Sequence, residues 1–276
     1  MSTSEGVPSE VEDLFGLKGK VALVLGGGLG MGEASAKLLA RMGCDIIIAE
    51  ILPERAARVA GDIRAMGRRA YEAVGDMCDP AQVDKVLPAA EEALGGPDIV
   101  VSIIGEAAWS SFLDTTMDDW MLDQRRNLAY FFYCSQWAAR SMERRNKPGA
   151  IVAISSVDGL QASPMHAAYG AAKAGIVSLV QTMANELGPL GIRVNAIAPG
   201  MIATPRAVAR LSVEEMNSRA DSLGIPLGRA GSTAEIAETV LYLVSNMSRY
   251  VTGITLPMDG GWLATRLDYG GGNKRR

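Results

Sequence analysis

The sequence predicts an α/β protein of one domain, a doubly wound parallel sheet of about seven strands with helices on both faces. Three observations lead there. Between about residues 20 and 260, short apolar runs alternate with segments of helical period, the pattern of strands joined by crossover helices. The runs are apolar almost without a break, as strands covered on both faces are. No Pro/Gly/Ser linker, repeat or low-complexity tract interrupts the 276 residues, a length that one large core can serve. Right-handed crossovers then wind the helices onto both faces.

The elements follow in order. "KVALVL" (20–25) reads as the first strand and leads to a helix over 31–42. "DIIIAE" (45–50) is the second strand, and a weaker one is expected near 70–75. Asp79 and Pro80 suit the N-cap and first position of a helix running to about 94. "DIVVSIIG" (98–105), "GAIVAIS" (149–155), "IRVNAIA" (192–198) and "GITLPM" (253–258) complete the sheet, with long helices near 117–145 and 168–187. Ser212 and Glu215 form a capping box, so a short helix starts near 213. The acidic, polar start (1–17) reads as a loose extension, 18–264 as the domain, and 265–276 as a solvated tail.

Composition excludes several functions. The net charge of −4 is of mixed sign, so no basic surface points to a nucleic acid. No apolar run reaches membrane-spanning length, and the polar start is no signal peptide. Cys44, Cys78 and Cys134 are odd in number and lack metal-ligand spacing, which suits a reducing compartment and no metal. A cytoplasmic location is expected.

The first strand runs into "GGGLGMG", with Gly26, Gly30 and Gly32 spaced before a helix. Glycines at a first βα turn let the backbone approach a pyrophosphate, and the helix N-terminus offers free N–H groups. Met31 lies on the same turn. Glu50 ends the second strand, where an acid can accept hydrogen bonds from an adenosine ribose. A dinucleotide at the carboxyl ends of the strands is therefore expected.

Tyr169 and Lys173 stand four residues apart on one helix face. Ser156 lies 13 residues before Tyr169, just past the strand "GAIVAIS". Together with "GGGLGMG", Asp76, "DIVVSIIG", Asn127, "RVNAIAPGMIAT" and "VTGITLPMDGG", this resembles the short-chain dehydrogenase/reductase family over about residues 18–262. The resemblance implies a Rossmann fold and maps the active site onto Asn127, Ser156, Tyr169 and Lys173. It implies cofactor contacts from Asp76 and Met77 at the adenine, Gly105 beside its ribose, and Pro199, Gly200, Ile202 and Thr204 around the nicotinamide. It also implies a homotetramer, for which the apolar stripes Leu128, Phe131, Phe132 and Ile176, Leu179, Met183 are candidates.

The residue types fit alcohol oxidation. A free phenol, with a pKa near ~10, is a poor base at neutral pH. A nearby ammonium and a cationic nicotinamide favour its anion. Tyr169 is thus the expected proton carrier, Lys173 its modulator and a ligand of the nicotinamide ribose, and Ser156 a hydrogen-bond partner of the substrate oxygen. The resemblance gives Asn127 a water in a relay to the lysine. Strand alternation favours Ser156 over Ser155 as the active serine. His166, the one histidine, has no marked acid partner for hydrolase chemistry and reads as a rim or loop residue.

Two departures from the family pattern stand out. Leu25 replaces a threonine before the glycine loop. Ser102, Ile103, Ile104 and Gly105 replace Asn-Asn-Ala-Gly, which suggests a more apolar packing there. Residues 201–226 would form a substrate lid. Met201 and Val208 there, with Trp109, Leu160 and Met165 from other loops, suggest a bulky apolar alcohol or ketone of steroid, terpenoid or aryl type. Alternatives are a 3-oxoacyl-thioester reductase, for which Arg206, Arg210 and Arg219 make a thin docking patch, and a silent dinucleotide-binding scaffold. Glu50 and the lack of an adjacent base favour NAD over NADP; Arg55 is expected to point along the next helix.

Overall fold

The computed structural model describes residues 14–265. Nine strands follow one another: β1 (Val21–Leu25), β2 (Asp45–Glu50), β3 (Ala70–Val74), β4 (Ile99–Ser102), β5 (Gly149–Ile154), β6 (Ile192–Pro199), two short ones, β7 (Ile202–Ala203) and β8 (Gly231–Ser232), and β9 (Thr255–Met258). Seven form one parallel sheet in the order β3-β2-β1-β4-β5-β6-β9, and β7 pairs with β8 outside it. The helices are α1 (Gly30–Arg41), α2 (Pro53–Ala65), α3 (Pro80–Leu94), α4 (Met117–Gln124), α5 (Tyr130–Arg144), α6 (Ala167–Leu187), α7 (Pro205–Val208), α8 (Val213–Ser222) and α9 (Thr233–Val244).

Strand side chains alternate between two cores, as a period of two requires. Leu23, Leu25, Ile47 and Val100 meet α3, α5 and α6 through Leu87, Phe131 and Ile176. Ala22, Val24, Ile46 and Ile48 meet α1, α2 and α9 through Leu39, Val59 and Val240. Because both faces are covered, β1 and β2 are buried at every position, which is why they read as unbroken apolar runs. The capping boxes Ser212/Glu215 and Ser232/Glu235 start α8 and α9.

Several boundaries differ from the sequence reading. The strand expected over 98–105 stops at Ser102, beyond which the chain leaves the sheet as the wall of a cleft. The strand expected from 253 starts at Thr255, because Gly253 takes a left-handed φ of 78°. The long helix expected near 117–145 runs without a break from Met117 to Arg144, α4 passing into α5 through a π-turn at Arg125–Ala129. The segment 1–17 is not loose throughout: Leu17 is core, Phe15 packs on it, and the Cys44 thiol donates to the Leu17 carbonyl at 3.4 Å. Thr265, expected to begin the tail, hydrogen-bonds the Gly261 carbonyl at 3.2 Å. Residues 1–13 and 266–276 lie outside the described residues. Among the described residues no helix is long and apolar enough to cross a membrane. Burial pushes the thiols of Cys44, Cys78 and Cys134 up to about 12.

Candidate active site

Strand order reverses between β1 and β4, and the loops leaving these two strands diverge. In an open parallel sheet such a switch point leaves a crevice at the carboxyl ends. Here it is a cleft of about 350 Å³. Gly26 turns the chain out of β1 with φ 84°, and Gly30 opens α1 with φ 62°. A Cβ on Gly32 would run into the Gly26 carbonyl oxygen, so only glycine lets α1 close onto the turn. Leu29, the N-cap, provides no side-chain hydrogen bond, leaving the first-turn N–H groups to an anion. The residues present therefore fit a dinucleotide phosphate.

Of the residues expected at a cofactor, Gly26, Gly30, Met31, Glu50, Asp76, Met77, Gly105 and Thr204 line this cleft. Asp76 is held by the Cys78 N–H at 2.8 Å. Thr204 caps α7 through the Ala207 N–H at 3.2 Å. Ile202 does not line it; it pairs in register with Gly231 and lies in a separate cleft with Met201. Pro199 ends β6, and Gly200 is pressed on Asp259.

Glu50 differs in detail from the sequence reading. Its carboxylate already accepts from the N–H groups of Gly28 (3.2 Å), Ile51 (3.0 Å) and Leu52 (3.2 Å). A carboxylate has about four acceptor positions, so one remains, on the oxygen that faces Gly28. Arg55 also departs from expectation: it lines the cleft, its Cβ lying against Gly28, instead of pointing along α2 alone. The first turn of a helix that follows Glu50 so closely brings residue 55 back over the glycine loop.

Two further residues on the cleft, Glu106 and Arg126, escaped the sequence reading, and Arg206, expected in a docking patch, lines the cleft as well. Glu106 stands 3.6 Å from Arg126 and 3.8 Å from Arg206, and Arg126 pairs with buried Asp123 at 2.9 Å. The chain Asp123–Arg126–Glu106–Arg206 ties the β4 loop to α7 in the lid. The positions of Glu106 after Gly105 and of Arg126 before Asn127 were the only sequence signal.

The four expected active-site residues converge on the other side of Gly105. The Lys173 ammonium donates to the Ile154 carbonyl at 2.8 Å and lies 5.5 Å from the Tyr169 ring centre. A Cβ on Gly105 would lie 2.8 Å from Asn127 Oδ1 and 3.2 Å from Lys173 Nζ, so the bare glycine keeps the lysine close to the cleft. Ser156 caps the turn after β5, accepting from the Asp158 N–H at 3.1 Å, and its side chain lowers the Tyr169 phenol. Ser155 instead donates to the Lys173 carbonyl at 2.8 Å, anchoring α6 to β5. The two adjacent serines thus have different hydrogen-bond partners.

Electrostatics differ from the simple expectation. Burial pushes the Tyr169 phenol up to about 12, opposed by the Ser156 side chain and reinforced by Asp158 and Asp123. Burial also pushes Lys173 down to about 7. In the protein alone, burial therefore opposes charge on both groups. Asn127 is likewise more occupied than expected. Its side chain accepts from the Glu106 N–H at 3.2 Å and donates to the carbonyls of Glu106 (2.9 Å) and Asp123 (3.0 Å). Its amide clamps the β4 loop to the π-turn.

The lost asparagines have a polar replacement rather than the apolar one expected. Ser102 donates to the Tyr130 hydroxyl at 2.9 Å, and Tyr130 donates to the Ile104 carbonyl at 2.6 Å. Leu25 is fully buried in the core.

Trp109, Leu160, Met165 and Val208 are exposed large apolar residues. Met201 does not join them; it shares its cleft with Ile225, Leu227 and Gly260. His166, read as a rim residue, is 8% exposed and has an acid partner after all, Asp158 Oδ2 at 2.7 Å from Nδ1. Ser163 Oγ lies at the same nitrogen, at 3.5 Å. A hydrolytic serine would have to sit at Nε2, so no such triad exists here.

A serine, a tyrosine and a lysine beside a switch-point cleft define an oxidoreductase of the short-chain dehydrogenase/reductase type. A family model described as enoyl-(acyl carrier protein) reductase matches residues 27–263. The chain is 37% identical over 246 residues to an L-rhamnose 1-dehydrogenase (NAD(P)(+)) of Azotobacter vinelandii, covering 88% of this chain and 96% of that one. It is 35% identical over 248 residues to the short-chain dehydrogenase/reductase eriH of Hericium erinaceus, covering 88% and 97%. A crystal structure of a short-chain type dehydrogenase/reductase from Mycobacterium marinum superposes with a TM-score of 0.86 at 33% identity, over 92% of this chain and 100% of that one. The chain belongs to the short-chain dehydrogenase/reductase family.

Proposed function

We propose that the chain interconverts a secondary alcohol and its ketone with NAD, Tyr169 taking up or giving the oxygen-bound proton. The observation that carries this reading is Tyr169 on the same helix as a fully buried Lys173, whose ammonium lies 5.5 Å from the phenol ring centre, with the Ser156 side chain lowering the phenol against burial. A nicotinamide bound in the cleft would supply the hydride donor or acceptor. The Ser156 hydroxyl can hold the substrate oxygen in line with the phenol. For ketone reduction the phenol is ready as an acid, since burial keeps its proton on. For oxidation it must first give up that proton, and the cationic charge of an oxidised nicotinamide nearby favours that.

A bulky apolar skeleton, steroid, terpenoid or aryl, is supported by the exposed Trp109, Leu160, Met165 and Val208. A polyhydroxylated substrate is the second reading, favoured by the relative named as an L-rhamnose dehydrogenase. For the thioester alternative, Arg206 faces Glu106, which leaves Arg210 and Arg219 of the expected docking patch.

Tyr169→Phe tests the mechanism. Turnover in a screen of alcohols and ketones, read at the nicotinamide absorbance, should fall by ~10²–10⁴ or more, while NADH binding by fluorescence survives. Near-parent turnover would remove Tyr169 from the reaction.

A further inference from the structure

We propose that His166 sets substrate specificity at the Tyr169 site: its Nε2 accepts a hydrogen bond from a second substrate hydroxyl, on a carbon adjacent to the reacting one. The inference rests on the reading of Tyr169 as the reacting end.

Geometry assigns the tautomer. Asp158 Oδ2 lies 2.7 Å from Nδ1. A carboxylate can only accept, so Nδ1 carries the proton, and in the neutral ring Nε2 is then a bare acceptor. That acceptor is out of water and has no hydrogen-bond partner. Such a group carries its full desolvation cost until something pairs with it. Many buried imidazoles are satisfied at both nitrogens; this one is satisfied at one.

Its surroundings point to substrate as the missing partner. His166 is the N-cap of α6, so it lies one turn before Tyr169, with ring centres 5.4 Å apart. Asp158 follows Ser156 by two residues on the turn that Ser156 caps. The Asp158–His166 pair therefore runs alongside the Ser156–Tyr169 pair. Trp109 covers the imidazole edge-on at 4.0 Å between ring centres, yet is itself 63% exposed. An exposed indole over a buried acceptor can yield to a ligand at little packing cost. Met165, just before His166, holds a left-handed φ of 67°, and its carbonyl accepts from the Ser110 N–H at 3.0 Å. For an unbranched bulky residue that backbone is unfavourable and must be held by its surroundings; it keeps His166 turned onto Asp158.

The ligand chemistry follows from the lone pair. Nε2 discriminates for a donor, so a vicinal diol or α-hydroxyketone is preferred over its methyl ether or its monohydroxy counterpart. Such a substrate satisfies both substrate readings above: an aryl or terpenoid diol, or a sugar.

The test uses 1-phenyl-1,2-ethanediol and its 2-methoxy ether with the full-length protein, NAD, and the variants His166→Leu and His166→Gln. In the parent, kcat/KM for the diol should exceed that for the ether by about tenfold, the scale of one hydrogen bond to an otherwise unpaired group. His166→Leu should bring the ratio close to one, and His166→Gln, which can still accept, should restore part of it. An unchanged ratio in His166→Leu overturns the proposal. Because the chain has one histidine, its ring nitrogens are assignable without ambiguity in a ¹⁵N-labelled sample, independently of turnover. Nδ1 should bear the proton, and the Nε2 signal should move on adding NAD with the diol but not with the ether. A proton on Nε2 in the neutral ring, or no shift with the diol, overturns the proposal. If the parent turns over neither probe nor any other alcohol or ketone, the dehydrogenase reading falls, and the nitrogen signals still decide His166.

Discussion

At the scale of residues, the active site is a set of charges kept off by burial. Lys173 is pushed down to about 7 from an ordinary 10.5, and Tyr169 up to about 12 from 10.0. For Lys173 the unfolded chain holds its proton up to a higher pH than the folded one. Its contribution to stability is therefore poorest below about 7 and improves as pH rises from 7 towards 10.5. Lys173→Met lacks this dependence. Melting temperatures between pH 7 and 9.5, below the Tyr169 range, should rise less steeply with pH for Lys173→Met than for the parent. Parallel slopes would mean that the lysine titrates normally. At the cofactor end, Glu50 keeps one acceptor position for a ribose hydroxyl, and a 2′-phosphate there would meet a like charge. We expect the parent to favour NAD over NADP by about tenfold in kcat/KM, about 1.4 kcal/mol. Because Arg55 lines the same cleft, Glu50→Ala should bring that ratio to one or reverse it. Steady-state kinetics with both cofactors check this; a parent that prefers NADP would remove Glu50 from the ribose.

At the scale of elements, the loop after β4 is where this chain departs from its family's pattern and where its structure compensates. Three side chains hold that loop: Ser102 donates to Tyr130, Tyr130 donates to the Ile104 carbonyl, and Asn127 brackets Glu106. The π-turn at Arg125–Ala129 inserts one extra residue per turn between α4 and α5, which rotates Asn127 and Tyr130 towards the same loop. Tyr130→Phe keeps the packing but strips the Ile104 carbonyl and the Ser102 hydroxyl of their partner. It should destabilise the fold by about 1–3 kcal/mol, seen as a lower midpoint in urea with an unchanged slope. A midpoint equal to the parent's would show that water replaces the phenol there. None of this was legible beforehand: the substitution Ser102–Ile104 was visible, but its partner is 28 residues away on another element. The helix over 117–145 was legible, but the π-turn inside it has no distinctive residue pattern.

At the scale of the whole molecule, the fold was legible because its sheet is buried on both faces, which turns strands into apolar runs and loops into glycine-rich breaks. Gly26 and Gly30 marked the cleft, and the four-residue spacing of Tyr169 and Lys173 marked a pair that meets on one helix face, since both depend on local backbone periodicity. Assembly was less legible. Phe131 and Ile176 are spent in the chain's own core, and of the two proposed stripes Phe132 is the large apolar residue left exposed. The lid reading joined Met201 to Trp109 and Met165 by proximity to one sheet edge, yet β7 carries Met201 and Ile202 into another cleft.

What the sequence determined by itself is therefore what local rules encode: strand and helix periods, glycines where a side chain would collide, caps, and one-turn spacings such as Tyr169 and Lys173. The tertiary structure alone decided which distant side chains meet. It put Asp158 on His166, Arg55 beside Glu50, and Tyr130 under the β4 loop. These contacts depend on how separate elements pack and on which groups lose water in doing so. That loss of water, rather than any residue's identity, moves Tyr169 and Lys173 away from their ordinary charges and leaves His166 with an acceptor in want of a donor.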